Sequence, residues 1–151
     1  MIKIIAVGKI KEQFIKDAMD EYLKRISRYS KLSIVEVDDF ESSSVEIEQK
    51  KEKDLILKNI TPKDYVIILD IKGEMIDSIQ LSKKINEFQI MNRNICFVIG
   101  GSNGLHQDVK QRANYSLSFS KLTFPHQLFR VMLLEQLYRS YKILNNESYH
   151  K

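Results

Sequence analysis

Residues 100–104, with the sequence GGSNG, combine residue types and spacing that could do chemistry. As a G-x-S-x-G motif between a strand and a helix, they are typical of a nucleophile elbow with Ser102 as the nucleophile. A serine hydrolase also needs a later acid and then a histidine. The candidates are Asp108, one helical turn away on the same element, and Glu135, inside an apolar helix with only His150 after it. A hydrolase is therefore the weakest alternative.

The same residues can also be interpreted as a glycine-rich turn from a strand to a helix, where a ligand approaches the backbone closely. The turn lacks the full G-x-G-x-x-G fingerprint and any Walker lysine, which argues against dinucleotide or P-loop binding. His106, His126 and His150 are scattered, without a second ligand at metal spacing. No metal site is predicted.

A second stretch, residues 118–130, reads SFSKLTFPHQLFR and mixes apolar side chains with hydrogen-bonding groups. Pro125 favours an extended Phe124 and pre-sets the first turn of a helix. A loop this apolar is normally buried, and its backbone must then find hydrogen-bond partners. Those partners could be another loop or a ligand bound through main-chain groups, and both alternatives stay open.

The helix that follows, predicted over about residues 126–145, is apolar around most of its circumference. One face of a sheet cannot bury all of that surface, so a second surface is implied, plausibly another copy of the chain. Arg130 lies on the apolar stripe, in line with Leu134 and Leu137. A charge there must be paired or must serve a site, and both interpretations remain open.

The rest of the chain alternates strands with helices, which predicts an α/β domain with a mostly parallel sheet and flanking helices. The predicted strands are Ile2–Val7, Leu32–Val37, 65–69, Ile95–Ile99 and 115–119, and the predicted helices are 12–29, 45–60, 78–91 with Ser78 as N-cap, 106–113 and about 126–145. Ligands of such sheets bind beyond the carboxyl ends of the strands. Three loops qualify, namely residues 69–73, 100–104 and 119–124.

Composition narrows the class of protein. The 151 residues suit one domain, and neither a membrane-length apolar run nor a signal peptide is present. A single cysteine, Cys96, suits a reducing compartment and predicts a cytosolic protein. Residues 1–100 hold 17 basic and 17 acidic side chains, whereas residues 101–151 hold 7 against 3. The net charge of +4 therefore lies in the last third, which favours a polyanionic partner such as nucleic acid.

Several motifs together resemble a known family. They are A-V-G-K near the start, L-D-I-x-G at residues 69–73, F-V-I-G-G-S-N-G-L at 97–105, L-S-F-S-K-L-T-F-P-H-Q-L-F-R-V at 117–131 and the terminal Y-H-K. The combination is similar to the ribosomal RNA large subunit methyltransferase H family, the small single-domain members of the SPOUT methyltransferases. The resemblance extends over essentially the whole chain.

This resemblance implies one SPOUT domain over residues 1–151, with a deep C-terminal trefoil knot. The knot and the cofactor loops would lie within about residues 69–151 of a homodimer. The implied cofactor is S-adenosylmethionine, bound by Leu69, Gly100, Phe119, Ser120, Lys121, Leu122, Thr123 and Phe124. The implied reaction is methylation of N3 of a pseudouridine in 23S rRNA, on the assembled 70S ribosome, without a metal or a membrane.

Catalytic roles are hypotheses built on that resemblance. The N3 proton of the acceptor must leave, and Arg130 could lower the cost of the anionic base. Tyr149 and His150 could reach across the dimer to hold the nucleotide, with His150 as the more plausible proton acceptor because its ordinary pKa is near neutrality. The alternative from another class is a non-catalytic RNA-binding or ribosome-binding module.

Overall fold

The computed structural model describes residues 1–42, 44–92 and 94–151, in which five strands alternate with five helices. The strands are β1 (Ile2–Val7), β2 (Leu32–Val37), β3 (Tyr65–Met75), β4 (Ile95–Ile99) and β5 (Tyr115–Ser118). The helices are α1 (Gln13–Ile26), α2 (Val45–Lys58), α3 (Ser78–Asn92), α4 (Gln107–Arg112) and α5 (His126–Leu144). Among these residues no helix is long and apolar enough to cross a membrane.

All five strands join one parallel sheet in the order β2-β1-β4-β3-β5. The central strands are nearly continuous apolar runs because helices cover both of their faces. Phe97 of β4 pairs with Ile4 on one side and with Ile67 on the other. The predicted α/β fold with a mostly parallel sheet is confirmed, whereas the C-terminal trefoil knot stays a prediction.

Alternate residues of each strand enter two separate cores. In β4, Phe97 and Ile99 face the core shared with α1, α3 and α5. Cys96 and Val98 face the smaller core under α2 and α4. On the larger side, α5 packs between α1 and α3, which buries much of its apolar stripe within the chain.

The prediction for the end of β3 is wrong. The strand does not stop at Leu69 but continues to Met75, and Leu117 of β5 pairs with both Leu69 and Glu74. The intervening residues 70–73 therefore bulge from the ladder. Gly73 permits this because a Cβ on that residue would lie 2.7 Å from the Ser116 carbonyl carbon.

The start of α3 also differs from the prediction, which named Ser78 as the N-cap. Ser78 is the first helical residue, and Asp77 caps the helix instead. The Asp77 carboxylate accepts a 2.7 Å hydrogen bond from the Gln80 backbone N–H, while the Gln80 side chain accepts one of 2.9 Å from the Asp77 N–H. This reciprocal arrangement is a capping box.

Candidate active site

A cavity of about 270 Å³ lies beyond the carboxyl ends of β3, β4 and β5. All three loops that the sequence marked as ligand loops reach it. Of the eight residues predicted to bind a cofactor, seven line this cavity, namely Leu69, Gly100, Phe119, Ser120, Leu122, Thr123 and Phe124. Lys121 is not among the lining residues. Parallel strands thus place distant loops at one edge of the sheet.

Residues 119–124, between β5 and α5, form one wall of this cavity and belong to no helix or strand. The rings of Phe119 and Phe124 lie 4.9 Å and 6.0 Å from the Phe129 ring on α5, which anchors the loop at both ends. The expectation of a buried loop is wrong for Leu122, whose exposed fraction is 71%. The loop therefore offers apolar surface and main-chain groups to a ligand.

The glycine turn at residues 100–104 forms the opposite wall. A Cβ on Gly100 would lie 2.9 Å from the Leu105 side chain, so close packing requires glycine there. Helix α2 holds the turn from outside, because Gln49 donates a 2.7 Å hydrogen bond to the Asn103 carbonyl and Glu48 accepts one from the Asn103 side chain. The turn is therefore fixed by polar contacts with α2.

Among the residues that the structure describes, Ser102 has no catalytic partners. Asp108, the nearest acid in the sequence, belongs to the start of α4, where its N–H donates to His106 Nδ1 over 3.0 Å. That contact caps a helix. Within residues 1–42, 44–92 and 94–151, no group of three or more His, Cys, Asp or Glu side chains could hold a metal ion.

The C-terminal tail packs against α5 of its own chain. Tyr149 donates a 3.0 Å hydrogen bond to Glu135, and its ring meets the Tyr138 ring edge-on at 4.9 Å. The Arg139 guanidinium lies 4.7 Å from the centre of the Tyr149 ring. Burial and the bond to Glu135 raise the pKa of Tyr149 to about 12. This phenol therefore stays protonated at neutral pH.

His150 contacts Arg139, with 3.1 Å between the His150 Nδ1 and a terminal guanidinium nitrogen. Because arginine can only donate, the Nδ1 atom must accept. A neutral His150 then carries its proton on Nε2 and presents a donor there. His150 borders a second cavity of about 710 Å³, which shares Leu117, Ser118, Phe119 and Phe124 with the first cavity.

Sequence reasoning considered Glu135 only as the acid of a hydrolase and missed its pairing with Arg139, which organises this tail. Glu135 accepts two hydrogen bonds from Arg139, at 3.0 Å and 2.6 Å, one helical turn along α5. Their spacing of four residues is the signal that could have identified them as a pair.

Arg130 forms a buried ion pair with Glu36, and an ion pair was one of its two predicted roles. Its side chain is 3% exposed and lies 2.6 Å from the Glu36 carboxylate. It also donates to the carbonyls of Val7 and Gly8 over 3.0 Å and 2.6 Å. Arg130 thereby ties α5 to the end of β1.

A third cavity, of about 1010 Å³, opens beside Arg130 at the ends of β1 and β2. It shares Gly101, Ser102 and His126 with the first cavity. Arg130 lines the third cavity but is not among the residues that line the first. Burial and the charge of Arg130 lower the pKa of His126, so its imidazole is neutral at pH 7.

Comparisons with known proteins agree with this geometry. Residues 1–150 match the family model "Predicted SPOUT methyltransferase". The chain is 54% identical to the ribosomal RNA large subunit methyltransferases H of Clostridium botulinum and of Clostridium tetani, over 99% of each chain. A solved structure from Haemophilus influenzae Rd KW20, a probable methylase family protein, has a TM-score of 0.57 at 15% identity, over 99% of this chain and 70% of that one.

The chain therefore belongs to the SPOUT methyltransferase family, and it is a methyltransferase. The relatives at about half identity carry the name ribosomal RNA large subunit methyltransferase H. This is the family that the motifs of the sequence indicated, and that prediction is confirmed.

Proposed function

We propose that this chain uses S-adenosylmethionine to methylate N3 of a pseudouridine in 23S rRNA. We further propose that it acts as a single-domain homodimer on the assembled 70S ribosome, in the cytoplasm. The relatives named as ribosomal RNA large subunit methyltransferase H support the substrate class. The basic excess of residues 101–151 supports contact with a polyanion.

One observation carries the proposal. The loops at residues 69–73, 100–104 and 119–124 are remote in the sequence, yet they border one cavity at the carboxyl edge of the sheet. Each of them carries a motif of the resemblance. In α/β proteins this edge is where small ligands bind.

The cavity residues fit S-adenosylmethionine. Leu69, Leu117 and the Phe119 ring supply apolar walls for an adenine ring. Gly100 and the main chain of residues 119–124 allow close approach to backbone donors and acceptors. Asp70 borders the cavity and could accept from a ribose hydroxyl. The cofactor's sulfonium would supply an activated methyl group, so the protein's task is to orient the reactants and exclude water.

The tail and α5 would handle the acceptor nucleotide. Tyr149 and His150 are held by Glu135 and Arg139, and in this arrangement His150 can donate to a base carbonyl through Nε2. We propose that a second copy packs on the half-buried apolar side chains of α5 beside the second cavity, so that the tail serves the partner's cofactor site. Arg130 would stabilise negative charge on the base.

Calorimetric titration with S-adenosylmethionine and, separately, S-adenosylhomocysteine tests the cofactor site. Leu122→Asp should weaken binding at least about tenfold, because a desolvated carboxylate would replace an apolar wall. Ile90→Asp is the matched control, since Ile90 is as exposed as Leu122, at 74%, but lies on α3 away from the cavity. Equal affinities of the two variants would contradict the proposed site.

The acceptor is tested with 70S ribosomes from a strain lacking this methyl group. Transfer of labelled methyl to 23S rRNA, mapped to N3 of a pseudouridine, is the expected result. If the intact protein binds ribosomes but neither cofactor, the alternative of a non-catalytic ribosome-binding module is the better account.

A further inference from the structure

The third cavity contains a buried carboxylate without a partner. Glu52 on α2 is 7% exposed and lines this cavity. In the part of the chain that the structure describes, it makes no hydrogen bond or ion pair. Native proteins rarely leave a buried charge uncompensated. An unpartnered carboxylate beside a cavity therefore points to a ligand that donates a proton or a hydrogen bond.

Glu52 stands next to the proposed cofactor site. A Cβ on Gly101 would lie 2.8 Å from Glu52 Oε1, so the carboxylate presses against the glycine turn. Gly101 borders both the first and the third cavity. The two cavities also share Ser102 and His126, so a group bound in the third cavity near Glu52 would lie beside the ligand of the first cavity.

The third cavity also holds a positive charge that complements Glu52. Arg130 lines it, and bonds to Glu36 and to the carbonyls of Val7 and Gly8 fix its guanidinium there. The imide edge of a uracil-like base carries one N–H between two carbonyls. A carboxylate can accept from that N–H, and the nearby guanidinium charge favours the negative charge that develops on the carbonyls. The volume, about 1010 Å³, suffices for a nucleotide.

We propose that the third cavity receives the acceptor base and that Glu52 is the base that removes its N3 proton. This inference rests on the proposed methyl transfer. The N3–H proton passes to the Glu52 carboxylate, and the N3 electron pair forms the bond to the methyl carbon. The carbon–sulfur bond breaks with its electrons on sulfur, which leaves neutral S-adenosylhomocysteine. Exposed Lys9 and Lys11 at the rim would contact phosphates, while the base alone enters.

The surroundings of Glu52 suit a proton acceptor. Burial, together with the charges of Glu48 and Asp39, raises the pKa of Glu52 to about 7. A carboxylate with that pKa is a better proton acceptor than an ordinary one and is still half ionised at pH 7. The other charged or titratable groups that border the cavity are Lys9, Lys11 and Glu12 between β1 and α1, Asp38 and Glu41 after β2, and His126 and Arg130 on α5.

The two histidines are weaker candidates. His150 Nδ1 already accepts from Arg139, and His150 borders the second cavity. His126 borders the third cavity, but its lowered pKa makes it a weaker base than free imidazole.

The experiment measures single-turnover methylation of the unmethylated ribosomes between about pH 5.5 and pH 9. The wild-type rate should fall on the acid side with a midpoint near the Glu52 pKa of about 7. Glu52→Gln should lower the rate at least about 100-fold and remove the acid limb. Its affinity for S-adenosylmethionine should stay within about twofold of wild type, because Gln conserves the packing against Gly101.

Three further variants separate this role from alternatives. Glu52→Asp keeps a carboxylate and should retain an acid limb at a reduced rate. Asp39→Asn removes a neighbouring negative charge and should move the acid limb to lower pH. His126→Asn should leave that limb in place.

Two results would overturn the proposal while leaving the methyltransferase function intact. One is a Glu52→Gln enzyme that keeps the wild-type acid limb. The other is a Glu52→Gln enzyme that loses cofactor affinity in parallel with its rate, which would make Glu52 a positioning residue for the glycine turn. Ribosomes left unmethylated by the wild type would instead refute the proposed function, and this inference with it.

Discussion

Glu135 on α5 and Glu52 on α2 are both carboxylates at the wall of a cavity, but their environments are opposite. Glu135 accepts hydrogen bonds from Arg139, Gln136 and Tyr149. Glu52 accepts none from the described residues and faces two like charges. The first carboxylate holds the tail to α5, whereas the second contributes nothing to the fold through pairing.

The difference indicates which of the two serves chemistry. A paired carboxylate lowers the free energy of the folded state, while a buried charge beside other negative charges raises it. Groups that cost stability are found at functional sites more often than elsewhere. Replacing a glutamate by glutamine keeps the shape of the side chain and removes its charge. The stabilities of a series of such variants therefore test the comparison.

The largest effect on activity is expected for Glu52→Gln, which should stabilise the protein while it lowers the methylation rate at least about 100-fold. The folded pKa of about 7 lies above the ordinary value of 4.5, so the wild type loses stability as the pH rises from 4.5 through 7. The full shift in the pKa of Glu52 corresponds to about 3 kcal/mol of unfolding free energy. Because solvent in the cavity screens the charge, Glu52→Gln should raise the unfolding free energy by about 2 kcal/mol. Urea denaturation at about pH 5 and pH 8 measures it.

That gain should be larger at the higher pH, because Glu52 is mostly protonated in the folded state at the lower one. A variant that is less stable than wild type at the higher pH would show that Glu52 has a stabilising partner, and the contrast with Glu135 would fail.

Glu36→Gln should lower the stability of the protein, whereas Glu52→Gln should raise it. It removes the only carboxylate paired with Arg130 among the described residues, so the buried charge keeps only neutral acceptors such as the carbonyls of Val7 and Gly8. Removing one member of a buried pair lowers the free energy of unfolding by about 3 kcal/mol at the lower end of the usual range. The lower end applies here because Glu36 is partly exposed. Chemical denaturation measures the loss, and a change below about 1 kcal/mol would show that the two carbonyls suffice.

Glu135→Gln should destabilise the protein by about 1 kcal/mol, because its contacts with Arg139 and Tyr149 are only partly buried. The tail should also loosen, since Tyr149 loses its charged acceptor. Faster carboxypeptidase digestion of the variant would report this. Digestion at the wild-type rate would mean that ring packing on Tyr138 alone holds the tail.

Glu21→Gln provides the baseline of the series. Glu21 and Arg25 form an exposed pair four residues apart on α1. Because solvent screens such a pair, Glu21→Gln should leave the urea midpoint close to that of the wild type. If Glu21→Gln changed the urea midpoint as much as Glu36→Gln does, burial of the ion pair could not explain the differences within the series.

The wall of the first cavity was predictable from local sequence. The glycines of the turn at residues 100–104 indicate that a ligand can approach the backbone closely. The alternating apolar residues of 119–124 indicate a wall for a ligand. The end of β3 was not predictable in this way, because Gly73 reads as a breaker within its own segment. Only the neighbouring β5 explains why the strand continues.

Sequence spacing also left Arg130 with two roles, since the partner Glu36 is 94 residues away. Likewise, Glu52 lies in the run KKEK at residues 50–53, and such a charged run on a helix is typical of a solvated face. Its carboxylate lies against Gly101, which no local rule connects to it.

The sequence by itself determined the alternation of strands and helices, the α/β class, the three ligand loops and the family. These follow from hydrophobic periodicity, turn residues and motifs, which are properties of short segments. The tertiary structure decided which charges are paired and which are not. Pairing depends on distances between segments that only the packed sheet brings together, and so does the free energy of each buried charge.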